Sequence, residues 1–150
     1  MVTTAVEPIF VDTNILIYST TALSPFYGVA QSKLDDLAAA GHPLWISRQI
    51  LREYLAAMSR PGALTTPISM TSLLTDVQAF QTRFLVAEDG QMVTAHLLNL
   101  LGTISCAGKQ VHDANIVATM LTHGIPKLLT HNTADFNRFS GQITIVPLIP

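Results

Sequence analysis

Ile9-Phe10-Val11-Asp12-Thr13-Asn14-Ile15-Leu16-Ile17-Tyr18 is the stretch from which the fold is read. Its first three residues form a short β-type apolar run, and the run stops on a carboxylate. A turn or helix-cap aspartate is the plain reading of Asp12. An acid set directly after an apolar strand and before a second apolar run, Ile15 to Tyr18, is less ordinary, and it marks Asp12 as functional.

Outward from this strand, the spacing predicts a helix from after Pro25 to about Ala40, closed by Gly41, and a second strand over His42 to Ile46. Ser47 reads as a helix N-cap. Ile50, Leu51, Tyr54, Leu55 and Met58 then recur at helical spacing until Pro61-Gly62 ends the run. A helix follows from about Ser69 to Arg83, a short strand at Phe84-Leu85-Val86, and a helix from Gln91 to Ser105. After a loop at Ala107-Gly108-Lys109, His112 to His123 reads as a helix stopped by Gly124. Pro126 to Thr130 is a strand, Ala134 to Phe139 a short helix, and Ile143 to Val146 a last strand. Strands alternating with helices imply an α/β fold, a central parallel sheet with helices on both faces. With no repeat, linker or charge block in 150 residues, one domain over 1–150 is expected.

Apolar residues make up 49% of the chain and charged residues 12%, which excludes disorder. The apolar excess has two readings, an interface or a sheet covered on both faces. No window reaches the roughly 18 unbroken apolar residues of a membrane helix. Met1 to Pro8 has no basic stretch and carries Glu7, unlike a secretory signal. Cys106, the single cysteine, offers neither an intramolecular disulfide nor zinc-site spacing. A cytoplasmic protein is expected. The formal charge is −2, from 10 acids and 8 bases. If four acids surround cations, the rest of the surface is slightly basic, so a nucleic-acid partner stays open with a local grip rather than a broad basic field.

In open α/β sheets, ligand sites form beyond the carboxyl ends of the strands. That rule selects Asp12 after the first strand, Glu53 two turns into the helix after the second, Asp113 at the head of a helix, and Asn132 and Asp135 after the strand ending at Thr130. Asp113, Ile116, Val117 and Met120 follow the i, i+3, i+4, i+7 pattern, which sets Asp113 at the top of a buried face, where a mere cap is out of place. Glu53 has a competing reading as a solvated helix acid near Arg52 or Arg60, and Asp135 one as a cap. Crowded carboxylates repel and raise one another's pKa, so such a cluster makes sense around a hard cation. Mg²⁺ and Mn²⁺ prefer carboxylate oxygen and water, and two such ions about 4 Å apart serve phosphodiester hydrolysis. His112 and His131 flank the site and read as ordinary polar residues sooner than as RNA contacts. Gly-x-Ser-x-Gly and a phosphate-binding Gly-rich loop are absent.

Four motifs together resemble a known family, the PIN domains. Val11 to Tyr18 resembles the family's opening strand, Ser47 to Met58 with Glu53 its second acidic motif, Val111 to Ala118 with Asp113 its third, and Leu129 to Phe136 its fourth. The likeness runs from about residue 8 to 147 and is nearest in pattern to VapC-type toxins of toxin–antitoxin pairs. It implies a three-layer PIN-like fold, a homodimer, Mg²⁺- or Mn²⁺-dependent endonucleolytic cleavage of RNA, and inhibition by a cognate antitoxin. A solitary PIN nuclease and a degenerate PIN domain that only binds are the alternatives. Asp12, Glu53 and Asp113 carry over as acidic metal and catalytic residues, with Asp135 beside them. Many members have an acid where this chain has Asn132, so Asn132 is expected to act as a neutral ligand or water-positioning group. Asn14 and Thr130 are expected to orient water or phosphate. Arg48, Lys109 and Arg138, near the acids in sequence, are expected to hold the RNA backbone.

Overall fold

Five parallel strands in the order β3-β2-β1-β4-β5 form the centre of the protein, seen in a computed structural model that describes residues 5–150. They are β1 (Ile9–Val11), β2 (Leu44–Ser47), β3 (Leu85–Ala87), β4 (Lys127–Thr130) and β5 (Thr144–Pro147). The reading of Met1 to Pro8 rests partly on residues 1–4, which lie outside the described residues. Ile9, Phe10 and Val11 are all buried, as a central strand covered on both faces requires.

The helices are α1 (Thr13–Thr20), α2 (Tyr27–Ala39), α3 (Arg48–Ser59), α4 (Met70–Arg83), α5 (Gln91–Thr103), α6 (Gln110–His123) and α7 (Thr133–Phe136), followed by a 3₁₀ turn over Asn137–Phe139. Right-handed crossovers fix their layers. The path β1 to β2 to β3 runs one way across the sheet and puts α1 to α4 on one face. The chain then returns to β4 and β5, which puts α5, α6 and α7 on the other. The packing follows: α1 touches α2 and α3, and α3 touches α4, while α5 packs on α6 and α6 on α7.

Most elements fall within two residues of their expected bounds. The exception is Ile15 to Tyr18. This apolar run is the core of helix α1, because the Asp12 carboxylate accepts from the Thr13 N–H and starts a helix there. The β-branched residues Ile15 and Ile17 have lower intrinsic helix propensity, but burial of Ile15 and Leu16 against the sheet outweighs it. At the other end of the fold, α6 stops at Gly124, whose φ of +68° is open to glycine at little cost. The Gly124 and Ile125 N–H groups both donate to the Met120 carbonyl, and this sharp stop delivers the chain into β4.

The sheet order reverses between β1 and β4, which leave the centre in opposite directions to their next partners. Such a reversal opens a crevice at the carboxyl ends of the two strands. Register places Val11 beside Leu129, and one residue on, Asp12 stands beside Thr130.

Candidate active site

Asp12 is the anchor of this crevice. It is only 6% exposed, and its carboxylate accepts three hydrogen bonds: from the Thr130 hydroxyl at 2.8 Å, the Thr13 backbone N–H at 2.8 Å and the Asn14 amide at 3.0 Å. Burial nonetheless pushes its pKa up from 3.8 to about 6, against the lowering effect of those donors and with help from the Glu53 charge. The donors hold the carboxylate in one orientation. Burial makes its negative charge costly until a cation or a proton offsets it.

Thr130 and Asn14 join the two strand ends. The Thr130 hydroxyl accepts from the Asn14 amide at 3.2 Å and from the Asn132 N–H at 3.0 Å, and Asn14 Oδ1 accepts from the His131 N–H at 3.0 Å. The loop after β4 is thereby tied to the first turn of α1. Asn132 stands at the N-terminus of α7, with its side chain exposed and no cap hydrogen bond. The cap reading of Asp135 finds no support either, since it lies inside the first turn of α7 and is exposed.

Glu53 reaches the same place from α3. Its carboxylate accepts from the Thr13 hydroxyl at 2.7 Å and from the Gln49 amide at 2.9 Å. No salt bridge links it to Arg52 or Arg60 among the described residues; its oxygens face Thr13 and Gln49 instead. Asp113, half-buried on α6, has a pKa raised from 3.8 to about 6 by burial first, then by the charges of Asp135, Asp12 and Glu53, with Arg138 opposing. Four acids from four segments thus share one electrostatic field. Among the described residues, no three His, Cys, Asp or Glu side chains close into a ready cation cage. The donor chemistry still fits a hard ion. Mg²⁺ commonly uses one or two carboxylates and keeps several waters, and both oxygens of Glu53 are already engaged.

The three bases differ in their surroundings. Arg48 turns to Glu88, with contacts at 2.7 and 3.3 Å, and to Gln81 at 3.2 Å. Lys109 is exposed at the start of α6. Arg138 alone of the three acts on Asp113, and it is held by the Ser105 carbonyl at 2.9 Å.

Two residues with no assigned role in the sequence reading hold the acids in place. Thr13 bonds Glu53. Gln49 is 5% exposed, and its amide donates to Glu53 and to the His112 carbonyl, both at 2.9 Å, while it accepts from Asn115 at 2.8 Å. It bridges the Glu53 helix to the Asp113 helix. The available signal was the Gln49–Glu53 spacing of four, which sets an amide beside a carboxylate on one helix face.

A three-layer α/β domain with carboxylates gathered at the sheet reversal is the class defined by this fold and site. The chain belongs to the PIN domain family, whose model matches residues 9–142. Among curated proteins it is similar to ribonuclease VapC48 of Mycobacterium tuberculosis, with 24% identity over 132 residues, 87% of this chain and 90% of that protein. Among solved structures, VapBC-1 from nontypeable Haemophilus influenzae superposes with a TM-score of 0.70 at 17% identity, covering 95% of this chain and 98% of that one. VapBC2 from Rickettsia felis, bound to a promoter DNA fragment, gives 0.68 at 16% identity, with 93% and 97% covered. The Mycobacterium tuberculosis VapC20 toxin, which cleaves the sarcin–ricin loop, gives 0.66 at 17% identity, with 91% and 96% covered.

Proposed function

We propose that the chain is a metal-dependent RNA endonuclease, the toxin of a toxin–antitoxin pair, working in the cytoplasm as a single-domain homodimer. The carrying observation is the shared field of Asp12, Glu53, Asp113 and Asp135 at the sheet reversal. The family and the ribonuclease relatives support the same reading.

Asp12 and Asp113 would hold Mg²⁺ or Mn²⁺, with Glu53 close by. The ion would supply positive charge against the phosphate and a more acidic water. The chain's own groups do the rest. Thr130 and Thr13 keep Asp12 in one rotamer, and Asn14 spans Asp12 and Thr130. Asn132, exposed beside Thr130, orients water or phosphate, and Asp135 adds negative charge that favours cation uptake. Arg138 offsets the acids toward an incoming phosphate.

Purified protein should cleave single-stranded RNA in Mg²⁺ or Mn²⁺, stop in chelator, and stop on Asp12→Asn. Expression should arrest growth, and the product of an adjacent small gene should relieve the arrest. Cleavage without that relief points to a solitary nuclease. RNA binding without cleavage in either metal points to a binding module, the reading favoured by Asn132 standing where many members have an acid.

A further inference from the structure

Three aromatic rings from three segments meet at the loop after β4, which backbone hydrogen bonding ties to Asn14. Tyr18 lies on α1, Phe26 in the turn before α2, and His131 between β4 and α7. The Phe26 and His131 rings are 4.5 Å apart and tilted by 46°. Tyr18 lies 4.9 Å from Phe26 and meets His131 edge-on at 5.6 Å and 81°. Tyr18 and Phe26 lean on the core, yet none of the three rings is fully buried. The His131 imidazole makes no hydrogen bond among the described residues, while its backbone N–H donates to Asn14, whose amide donates to Asp12. Two hydrogen bonds therefore fix the position of this residue relative to the anchoring acid.

A ring cluster that only filled the core would be covered, and one remote from the acids would have no bearing on a substrate. This one is part-open and tied to the crevice. We propose that Tyr18, Phe26 and His131 form a stacking platform for one nucleobase of a single-stranded RNA whose backbone lies at the acid cluster. The proposal rests on the nuclease reading of that cluster. Every base offers a π-face, so stacking tolerates sequence and draws in unpaired nucleotides. The open nitrogens of His131 can meet a base edge and add a preference. The strand is then gripped twice, at a phosphate by charge and at a neighbouring base by the rings, and a duplex cannot satisfy both because its bases stay stacked inside.

The test measures binding of a short single-stranded RNA to Asp12→Asn protein, which should not cleave it. An abasic site is walked along the RNA, with and without His131→Ala. One abasic position should lower affinity about tenfold, His131→Ala should lower it about as much, and the two losses should not add. Should His131→Ala fail to fold, 2-aminopurine at each position on the unsubstituted rings decides, with quenching at one position expected. Failure of Asp12→Asn protein to bind any RNA overturns the nuclease reading and the platform with it. Binding that ignores His131 and the abasic position, with only the melting temperature of His131→Ala lowered, overturns the platform alone and leaves the rings as packing.

Discussion

The Thr130 hydroxyl donates to Asp12 Oδ2 at 2.8 Å across the junction of β4 and β1, joining residues 118 apart in sequence. The same oxygen accepts from Asn14 and from the Asn132 N–H. One buried hydroxyl thus orders an acid, an amide and the loop that carries His131. Thr130→Val keeps the shape and removes all three bonds. It should cost about 1–3 kcal/mol in urea unfolding, the range for stranding buried polar groups, and it should cut the cleavage rate and push the Asp12 carboxyl further up. Thr130→Ser should restore most of both. A Thr130→Val protein with unchanged stability and rate would show that the bond to Asp12 orders nothing.

Asp12 gives a pH signature whose sign is set by burial. Its pKa is about 6 in the folded chain against 3.8 for the free group. Between those values the folded protein binds the extra proton, so stability is lost as pH rises through that window and the cost is constant above it, on the order of 3 kcal/mol. Asn at this position keeps an oxygen for the Thr13 N–H and never ionises; it forfeits the bonds from the Thr130 hydroxyl and the Asn14 amide, a cost that does not vary with pH. In chelator, Asp12→Asn should therefore gain stability relative to the unsubstituted protein as pH goes from about 4 to 7, while losing cleavage at every pH. A gap that shrinks over that range would make Asp12 a plain structural cap.

The same burial, together with repulsion among the acids, predicts a cation effect. Asp12 and Asp113 both carry raised pKa values from burial and neighbouring acids, so a divalent ion that binds only the folded state should raise the melting temperature. At a hundredfold excess over its dissociation constant the gain is about 2.7 kcal/mol. Asp113→Asn should abolish most of that gain, whereas substitution of exposed Asp36 should leave it intact. No shift with Mg²⁺ or Mn²⁺ at millimolar concentration would count against a metal site here.

The sheet and the acids were legible because both follow local rules: short apolar runs between helices, and acids directly beyond them. The α1 helix was not, since Ile15-Leu16-Ile17 is too short a run to separate helix from strand by period, and the helix-cap reading of Asp12 that would have placed a helix there gave way to the functional one, although the carboxylate caps α1 as well. Gln49 and Thr13 escaped for a related reason. Apart from the Gln49–Glu53 bond over four residues, their partners lie 63 and 40 residues away at His112 and Glu53, and a polar residue declares so distant a partner through tertiary contact alone. The bases were placed by sequence neighbourhood, which does not reveal that Arg48 pairs with Glu88, a residue arriving from beyond β3.

Assembly is testable without RNA. Leu23 is 85% exposed, and Met70 and Leu74 about half exposed, and an interface is one of the two readings of the chain's apolar excess. A symmetric dimer is the common closed form for such a surface. Light scattering at tens of micromolar should give twice the chain mass, and Leu23→Glu with Leu74→Glu should shift it toward the monomer. A monomer without substitution, or a dimer indifferent to these two, would give this apolar surface another role.

The last prediction ranks the bases by their actual surroundings. Arg48 is neutralised by Glu88, and Arg83 by Asp35 at 3.0 Å. Arg138 has no salt bridge among the described residues, and its charge already reaches Asp113. A phosphate strand approaching four carboxylates meets repulsion that an unpaired base nearby relieves most. Arg138→Glu should therefore weaken binding of single-stranded RNA by Asp12→Asn protein more than Arg48→Glu does. It should also flatten the slope of log affinity against log salt by about 0.7, the value for one phosphate no longer neutralised. Lys109→Glu, at the exposed head of the Asp113 helix, should fall between them, and Arg83→Glu should change neither quantity. If Arg48→Glu proved the more damaging, the Glu88 pair would have to open for RNA, and the strand would cross the β2 edge of the crevice instead of the β4 edge.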